Sequence, residues 1–332
     1  MAHDAPRHVG FLGPAGTFTE EALFTQRDYA TAKLTPYATM TDVLDAVQRG
    51  QEDLGFVPIE NAIDGTVRDT IDALVFDTDL LIQREVVLDI HLHLMAPRGT
   101  DIDRLGRVAS IPVAIAQCRK FLASRLPEAE IVATTSTAEA ARLVGEGSRD
   151  GLGGDRVAVA AIAPRLCADL YGLEILAADV EDHPDNQTRF VAVARSGIPA
   201  PTGHDRTSIA CFQSSDHPGS LHGILGQFSA RNINLTKLES RPTKRVLGEY
   251  CFIIDLEGHV ADAVVADCLR ELHVLLPEVK LLGSYPAAGA TGPARRREFT
   301  SARLEADRWL DSLLSQVSRP SPPGVPSEPE RS

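Results

Sequence analysis

Strand-like and helix-like segments alternate steadily from residue 8 to residue 195. An apolar run at 8–12 is followed by a Gly-Pro-Ala-Gly turn, and residues 17–26 then have helical spacing. The same order returns at 54–74, where an apolar strand ends before a Gly-Thr pair and a predicted helix. Chains that alternate in this way fold as α/β domains, and we expect the strands to be parallel.

The order of elements changes after a linker at 196–206, which contains two prolines and two glycines. From 207 to 286 the pattern predicts strand, helix, strand, strand, helix and strand, the order of a ferredoxin-like unit. Residues 287–332 form a predicted tail, with one amphipathic helix at 299–314 and a disordered Pro-rich end. We therefore predict an α/β domain at 8–195, a smaller domain at 207–286 and the tail.

Charge and cysteine content exclude several classes of function. The chain has a formal net charge of −13 at pH 7, so neither nucleic acid nor an anionic membrane is an expected partner. The five cysteines are scattered and form no C-x-x-C pair, which is typical of reduced core residues in a cytosolic protein. No apolar run is long enough for a signal core or a membrane span, so we expect a cytoplasmic protein.

Polar side chains stand where several predicted strands end and helices begin. These residues are Thr17, Glu60, Asn61, Thr66 and Ser110, and Gln117 lies one to two turns inside the helix predicted after Ser110. Strand ends and helix starts meet at the crevice edge of an α/β sheet, where helix-start amides favour anions. A hydroxyl in this position is equally explained as a helix cap, and an asparagine as a turn residue.

The stretch 185–190, Asp-Asn-Gln-Thr-Arg-Phe, lies directly before an apolar run. A strand that begins there would hold its first side chains at the mouth of a cleft. Thr188 offers a hydroxyl, Arg189 offers a fixed cation, and Asn186 and Gln187 offer amides. This mixture suits a small anionic substrate better than a metal, although a turn with a local cap explains the same residues.

Two histidines, His91 and His93, lie two positions apart in a segment at 85–97. The segment is predicted to be one long strand or a crossing into a second lobe. Two histidines on one strand face could share a metal, but no third ligand is near them in sequence. We therefore expect no metal site.

Taken in order, several motifs resemble those of the prephenate dehydratase family. They are Gly13-Pro14-Ala15-Gly16-Thr17-Phe18, Pro58-Ile59-Glu60-Asn61 with Gly65-Thr66-Val67, Gln117-Cys118, and Asn186-x-Thr188-Arg189-Phe190. The 207–286 unit resembles an ACT domain. Its residues Gly219, Ser220, Leu221, Glu239, Ser240, Arg241 and Pro242 are similar to the phenylalanine-binding signatures of the family. The resemblance covers about residues 8–286, and serine at 220 replaces the alanine usual in the family.

The resemblance implies conversion of prephenate to phenylpyruvate, carbon dioxide and water, without a cofactor or a metal. It assigns catalytic roles to Thr188, Glu60, Asn61 and Gln117, and substrate binding to Thr17, Thr66, Ser110, Arg189 and Phe190. Thr188 would either orient and stabilise the departing oxygen or relay a proton, while Asn61 and Gln117 would orient the substrate. Glu60 is a candidate general acid, and Arg189 either compensates charge or makes a structural ion pair.

The resemblance also implies a fold and partners. The expected fold is two α/β lobes like those of periplasmic solute-binding proteins, followed by the ACT domain. The expected partners are prephenate, L-phenylalanine as an effector, and further copies of the chain in a homodimer or homotetramer. Two alternatives remain open, namely arogenate as the substrate and a non-catalytic ligand sensor that contains an ACT domain.

Overall fold

The computed structural model describes residues 7–147, 157–213, 217–244, 249–288, 305 and 308–316. The strands are β1 (His8–Leu12), β2 (Lys33–Tyr37), β3 (Leu54–Asn61), β4 (Gly65–Thr66), β5 (Leu81–Asp89), β6 (His93–Pro97), β7 (Leu105–Ser110), β8 (Glu130–Ala133), β9 (Ala158–Ala163), β10 (Leu173–Ala177), β11 (Gln187–Ala194), β12 (Asp205–Phe212), β13 (Leu235–Pro242), β14 (Tyr250–Glu257) and β15 (Glu278–Pro286). The helices are α1 (Phe18–Phe24), α2 (Arg27–Ala30), α3 (Met40–Gln48), α4 (Arg68–Asp72), α5 (Pro112–Gln117), α6 (Arg119–Arg125), α7 (Thr137–Gly145), α8 (Arg165–Tyr171), α9 (Ser220–Ser229) and α10 (Ala263–Leu275). A π-helical turn (Ala73–Asp77) and a 3-10 turn (Ile102–Arg104) complete the set.

Hydroxyl side chains cap the first turns of several helices. Thr39 accepts a hydrogen bond from the backbone amide of Asp42 at 3.1 Å at the start of α3. Ser136 accepts one from the amide of Glu139 at 2.9 Å at the start of α7. An acidic residue three positions after the hydroxyl also favours the positive end of the helix dipole.

The α/β region contains two mixed sheets, which correspond to the two predicted lobes. In the larger sheet β1 is parallel to β2 and β3, but β11 runs antiparallel to both β3 and β5. In the second sheet, ordered β10-β6-β9-β7-β8, β7 is parallel to β8 and β9 while β6 is antiparallel to β9 and β10. The expectation of parallel strands was therefore right only for β1–β3 and β7–β9.

Two segments, 90–92 and 178–186, connect the two sheets. The predicted strand at 85–97 is broken into β5 and β6, so the segment is the crossing between lobes. The two crossing segments are hydrogen-bonded to each other: Ile90 N–H donates to the carbonyl of Asn186, and Val180 N–H donates to the carbonyl of Leu92, both at 2.8 Å. The region between the lobes is therefore bordered by two paired crossing segments.

We call residues 207–286 the C-terminal unit. It has the predicted βαββαβ order, and its four strands extend the larger sheet. On one face, Ile224 and Phe228 of α9 pack with α10. On the other face, Ile253 belongs to the same buried cluster as Val43 of α3. A Cβ at Gly283 would lie 2.6 Å from the carbonyl oxygen of Ile82, so glycine permits the contact between β15 and β5.

Contacts place residues 1–288 in one compact unit and residues 289–332 in another. The division between 195 and 207 predicted from sequence therefore stays a prediction. Residues 308–314 are helical, inside the predicted tail helix, and the rest of the tail prediction lies outside the described residues. None of the helices among the described residues is long and apolar enough to cross a membrane.

Candidate active site

Asn61 and Thr188 are brought together by the pairing of β3 with β11, in which they are direct partners. The Asn61 Nδ2 donates to the Thr188 Oγ1 at 2.9 Å. The Asn61 Oδ1 accepts from the backbone amides of Ile63 and Asp64 at 2.9 and 3.0 Å. Because only the oxygen of an amide side chain can accept these two bonds, the orientation of Asn61 is fixed.

A row of amide side chains continues from Asn61 to the second lobe. The Asn61 Nδ2 also donates to the Asn186 Oδ1 at 3.0 Å, and the Asn186 Nδ2 donates to the Gln117 Oε1 at 3.1 Å. The Gln117 Nε2 in turn donates to the Asp64 Oδ2 at 2.9 Å. We call these five residues, Thr188, Asn61, Asn186, Gln117 and Asp64, the amide chain. It joins the end of β11 in one lobe to α5 in the other.

The Thr188 hydroxyl lies at one end of the amide chain and is half-buried. It accepts a hydrogen bond from Asn61, and no described residue accepts its own proton. The Thr188 oxygen is thus held by Asn61, and the Thr188 proton can be donated to another group. A hydroxyl held in this way can stabilise negative charge that develops on a departing oxygen.

Arg189 lies on the opposite face of β11 from Thr188, because successive strand residues alternate between faces. Its buried guanidinium contacts the carboxylates of Asp255 at 2.8 Å, Glu60 at 3.0 Å and Glu85 at 3.4 Å. Burial opposes its charge, but these carboxylates, Asp255 foremost, raise the pKa of Arg189 above its ordinary value. Of the two roles expected for Arg189, the structure supports the structural ion pair.

Glu60 belongs to the same ion-pair cluster as Arg189. Its Oε2 lies 3.0 Å from Arg189 and its Oε1 lies 3.5 Å from the Nζ of Lys237, which comes from β13. In the strand pairing Glu60 opposes Arg189, whereas Asn61 opposes Thr188. The structure therefore places this candidate acid with the cations rather than with the amide chain.

Three residues expected to bind substrate make contacts of a structural kind. The Thr17 hydroxyl caps α1, accepting from the Glu20 amide at 3.4 Å and donating to the Leu12 carbonyl at 3.0 Å. Ser110 is fully buried and donates to the Ile162 carbonyl at 2.7 Å. Phe190 is buried and stacks on Phe56, with ring centroids 5.6 Å apart. Capping and core packing account for these contacts, and substrate binding by the three residues stays a prediction.

Thr66 lies in a different type of secondary structure from the one predicted. It lies in the short strand β4 rather than at a helix start, since the α4 N-cap is Val67. Its hydroxyl donates to the Glu239 Oε2 at 2.6 Å and accepts from the Lys237 Nζ at 2.8 Å. Thr66 therefore connects the β3–β4 turn to the C-terminal unit.

Three comparisons with known proteins agree. The family model "PDT: Prephenate dehydratase" matches residues 9–197, and the ACT domain model matches 208–274. A prephenate dehydratase from Mycolicibacterium vanbaalenii is 42% identical, over 92% of this chain and 97% of the relative. This chain belongs to the prephenate dehydratase family.

Solved structures extend the comparison. A prephenate dehydratase from Arthrobacter aurescens, solved in complex with L-Phe, is 38% identical with a TM-score of 0.79, covering 92% of this chain and 99% of that chain. The structure of GqqA, described as a quorum-quenching acylase, is 29% identical with a TM-score of 0.74, covering 84% and 98% respectively. Enzymes of this family eliminate water and carbon dioxide from prephenate, so an active site must assist the loss of both groups.

The residues similar to the phenylalanine signatures fall on two faces of the C-terminal sheet. Glu239 and Arg241 pair with Ile253 and Cys251, whose side chains pack towards α3 and the π-helical turn. Ser240 and Pro242 alternate with them and are exposed, and the remaining candidates, Gly219, Ser220 and Leu221, begin α9 on that other face.

Arg241 is held by the carboxylate of Asp72, which also contacts the Nζ of Lys244 at 2.8 Å. Burial alone would raise the pKa of Asp72, but the hydrogen bonds from Lys244 and Arg241 hold it below its ordinary value. Together with Glu239 bound to Thr66, this pair gives the signature strand β13 two polar contacts to the β4–α4 region of the catalytic part.

The two histidines considered for metal binding lie at the crossing segments. The Nδ1 of His91 is 3.0 Å from the Glu181 Oε1 and 3.5 Å from the Asp179 Oδ1, so three donor atoms that could hold a cation are close together. The same contacts form an ion pair: the hydrogen bond from the His91 Nδ1 to the Glu181 carboxylate raises the pKa of His91 above its ordinary value. Burial lowers the pKa of the neighbouring His93.

Proposed function

We propose that this chain catalyses the decarboxylative dehydration of prephenate to phenylpyruvate. In this reaction the bond from the ring to its carboxylate breaks, and its electron pair enters the ring as carbon dioxide leaves. The bond to the ring hydroxyl breaks at the opposite side of the ring, and the departing oxygen takes up one proton to become water. The observation that carries the proposal is the Thr188 hydroxyl, whose oxygen accepts from Asn61 while its proton remains available.

Thr188 acts on the departing oxygen in this proposal. A threonine hydroxyl is too weak an acid to release a free proton near neutral pH, so it donates a hydrogen bond that strengthens as the carbon–oxygen bond breaks. Asn61 holds the Thr188 oxygen, and Gln117 presents its amide from the second lobe. Since Asn61, Gln117 and Thr188 carry no charge, they do not compete with the substrate for a proton.

We further propose that L-phenylalanine binds the C-terminal unit and inhibits turnover. This proposal is supported by the ACT domain match and by the related structure from Arthrobacter aurescens in complex with L-Phe. The candidate effector residues are Gly219–Leu221 and Glu239–Pro242. The contacts of Glu239 with Thr66 and of Arg241 with Asp72 give a physical connection between that unit and the catalytic part. A coupling of about 1–3 kcal/mol between effector and substrate is usual.

We also propose that the protein forms a homo-oligomer and is located in the cytoplasm. β13 is an end strand of the ten-stranded sheet, no other strand of the described residues pairs with its outer edge, and Leu238 on this strand is 44% exposed. An uncovered strand edge is commonly covered by a second copy, so we propose a homodimer or a homotetramer. All five cysteines are buried and free, which is compatible with a reducing, cytoplasmic location.

The deciding experiment is an assay of the purified chain with prephenate, in which the appearance of phenylpyruvate is followed. Arogenate is assayed in parallel because its amino group replaces the keto group of prephenate. Turnover of prephenate supports the proposal, turnover of arogenate alone changes the substrate, and binding of either without turnover supports the sensor alternative. An acylase assay on the same preparation controls for the similarity to GqqA.

Regulation is tested with the same preparation by calorimetry with L-phenylalanine and by activity in its presence. Gly219 has a φ of +91° at the start of α9, a conformation that a β-branched side chain does not adopt without strain. We expect Gly219→Val to abolish the binding heat and the inhibition while leaving prephenate turnover intact. Binding of L-phenylalanine without inhibition would leave an effector site but no regulation.

A further inference from the structure

Asn186 is a polar side chain that is only 1% exposed, in the crossing segment between the lobes. Its backbone is also held, since its N–H donates to the His183 carbonyl at 3.2 Å and its carbonyl accepts from Ile90 N–H at 2.8 Å. A buried amide is costly unless its donors and acceptors are matched with partners. The side chain of Asn186 therefore has a defined position, between Asn61 of the first lobe and Gln117 of the second.

The direction of every hydrogen bond in the amide chain follows from its two ends. The Asn61 oxygen faces two backbone N–H groups, so the Asn61 nitrogen must face Asn186 and Thr188. The Asn186 oxygen must then face Asn61, and its nitrogen must face the Gln117 oxygen. The Gln117 nitrogen is left to donate to the Asp64 carboxylate, which can only accept when ionised.

We propose that Asn186 is a positioning residue for the dehydration, and this inference rests on the proposed function. The Asn61 Nδ2 has two protons and three acceptors within reach, namely the Thr188 Oγ1 at 2.9 Å, the Asn186 Oδ1 at 3.0 Å and the Gln187 carbonyl at 3.3 Å. The Asn186 oxygen takes one proton, and the other is directed at the Thr188 oxygen, which is nearer than the Gln187 carbonyl. The Asn186 nitrogen holds the Gln117 oxygen, which ties the second lobe to the first. Asn186 itself acts through Asn61 and Gln117 and is not a catalytic residue.

An isosteric change tests the direction of these bonds. In Asn186→Asp the carboxylate still accepts from Asn61, but it cannot donate to the Gln117 oxygen. If Gln117 turns its nitrogen towards the new carboxylate, its oxygen faces the Asp64 carboxylate, so one repulsive contact remains in either orientation. We expect kcat to fall by about tenfold to a hundredfold, since a misplacement of one ångström costs on the order of a hundredfold.

A second substitution should remove that repulsion. In the double variant Asn186→Asp with Asp64→Asn, Gln117 can donate to the new carboxylate and accept from the new amide, and the net charge is that of the wild type. We expect the double variant to recover most of the lost kcat, which is a strong non-additive coupling between the two positions. In Asn186→Ala, which has no side-chain oxygen to accept from Gln117, Asp64→Asn should give no recovery.

The control is Asn234→Asp, which makes the same change of charge at an exposed residue of the C-terminal unit. Its kcat should equal that of the wild type, and circular dichroism should show that each variant is folded. A kcat within about twofold of the wild type for Asn186→Ala or for folded Asn186→Asp would overturn the inference, because losing an orientation typically costs far more. Recovery by Asp64→Asn in both backgrounds, or in neither, would overturn the directional argument. A wild-type chain without turnover of prephenate or arogenate would instead refute the proposed function, and the inference would fall with it.

Discussion

The two faces of β11 differ at adjacent residues. The half-buried Thr188 joins a row of amide side chains that ends at the exposed Asp64 carboxylate, whereas the buried Arg189 contacts three carboxylates. The amide chain connects the two lobes, and the ion-pair cluster connects the first lobe to Asp255 of the C-terminal unit. One strand therefore contributes to two interfaces, with neutral groups on one side and charged groups on the other.

The difference separates a role in chemistry from a role in stability. Neutral amides have fixed donor and acceptor ends, so they can orient a hydroxyl without changing their own protonation. Buried charges are costly unless each is paired, so the ion-pair cluster depends on keeping all its members. Substitutions on the Thr188 face should therefore change rates, and substitutions on the Arg189 face should change stability.

The largest effect is expected from Arg189→Met, which keeps an unbranched side chain but removes the charge. Asp255 would remain buried without its partner cation, while Glu85 would keep its ion pair with Arg206 at 2.6 Å. Removing one partner of a buried pair typically costs about 3–5 kcal/mol, and we expect a loss of this size in the free energy of unfolding by urea. Arg270→Met, at an exposed arginine, is the matched control. A loss no larger than that of the control would mean that the cluster is not stabilising.

On the opposite face, Thr188→Val should leave the free energy of unfolding nearly unchanged and lower kcat. Loss of one preorganised donor typically lowers kcat by roughly a hundredfold or more. Steady-state kinetics with prephenate measure the effect, and Thr236→Val, at an exposed threonine of β13, is the control. A Thr188→Val variant with the kcat of the wild type would remove Thr188 from the mechanism.

The two faces should also differ in their response to acid. Burial opposes the ionisation of Asp255, but Arg189 beside it holds the pKa of Asp255 below its ordinary value. A lowered folded-state pKa contributes stability that is present above the unfolded value, about 3.9 for Asp, and is lost as pH falls through the folded value. Below about pH 4 the wild type should therefore lose stability more steeply than Asp255→Asn, as measured by urea unfolding across pH. Parallel pH curves for the two proteins would contradict this linkage.

The sequence predicted the elements and their order well, because hydroxyl caps, turn residues and apolar runs are local signals. The sequence motifs also indicated Asn61, Gln117 and Thr188 as site residues, and the structure places their side chains in one hydrogen-bonded row. The sequence did not separate Thr188 from Arg189, although the alternation of strand residues would have placed them on opposite faces. The partner Asp255 lies 66 positions from Arg189 along the chain, and no local pattern indicates that contact.

Three further features could not be derived from the sequence alone. The reversal of β11 between β3 and β5 depends on where the chain returns from the second lobe, not on local propensity. Asn186 was visible as an amide in a motif, but its burial and its place between Asn61 and Gln117 come from the pairing of the two crossing segments. Asp64 has no distinguishing local pattern, because an exposed acid in a turn is usually only solvated.

Substitution of Thr17 should have the smallest effect. Thr17 and Thr188 are both hydroxyl residues that the sequence places at the edge of the α/β sheet, but their hydrogen bonds differ. The Thr17 oxygen accepts from the Glu20 amide and its proton goes to the Leu12 carbonyl, so both functions of the hydroxyl are already used. Thr188 differs in that only its oxygen has a partner among the described residues. The availability of the proton, rather than the residue type, is what separates the two roles.

We therefore expect Thr17→Ala to lower the free energy of unfolding by about 1 kcal/mol, the usual cost of losing a cap. Its KM and kcat for prephenate should stay within about twofold of the wild type, because substrate-binding losses would raise KM selectively. Thr17→Ser, which keeps the hydroxyl, should restore the stability. If Thr17→Ala instead raised KM severalfold while its unfolding curve matched that of the wild type, the Thr17 hydroxyl would bind substrate. Thr17 would then have a role in substrate binding in addition to its role as a helix cap.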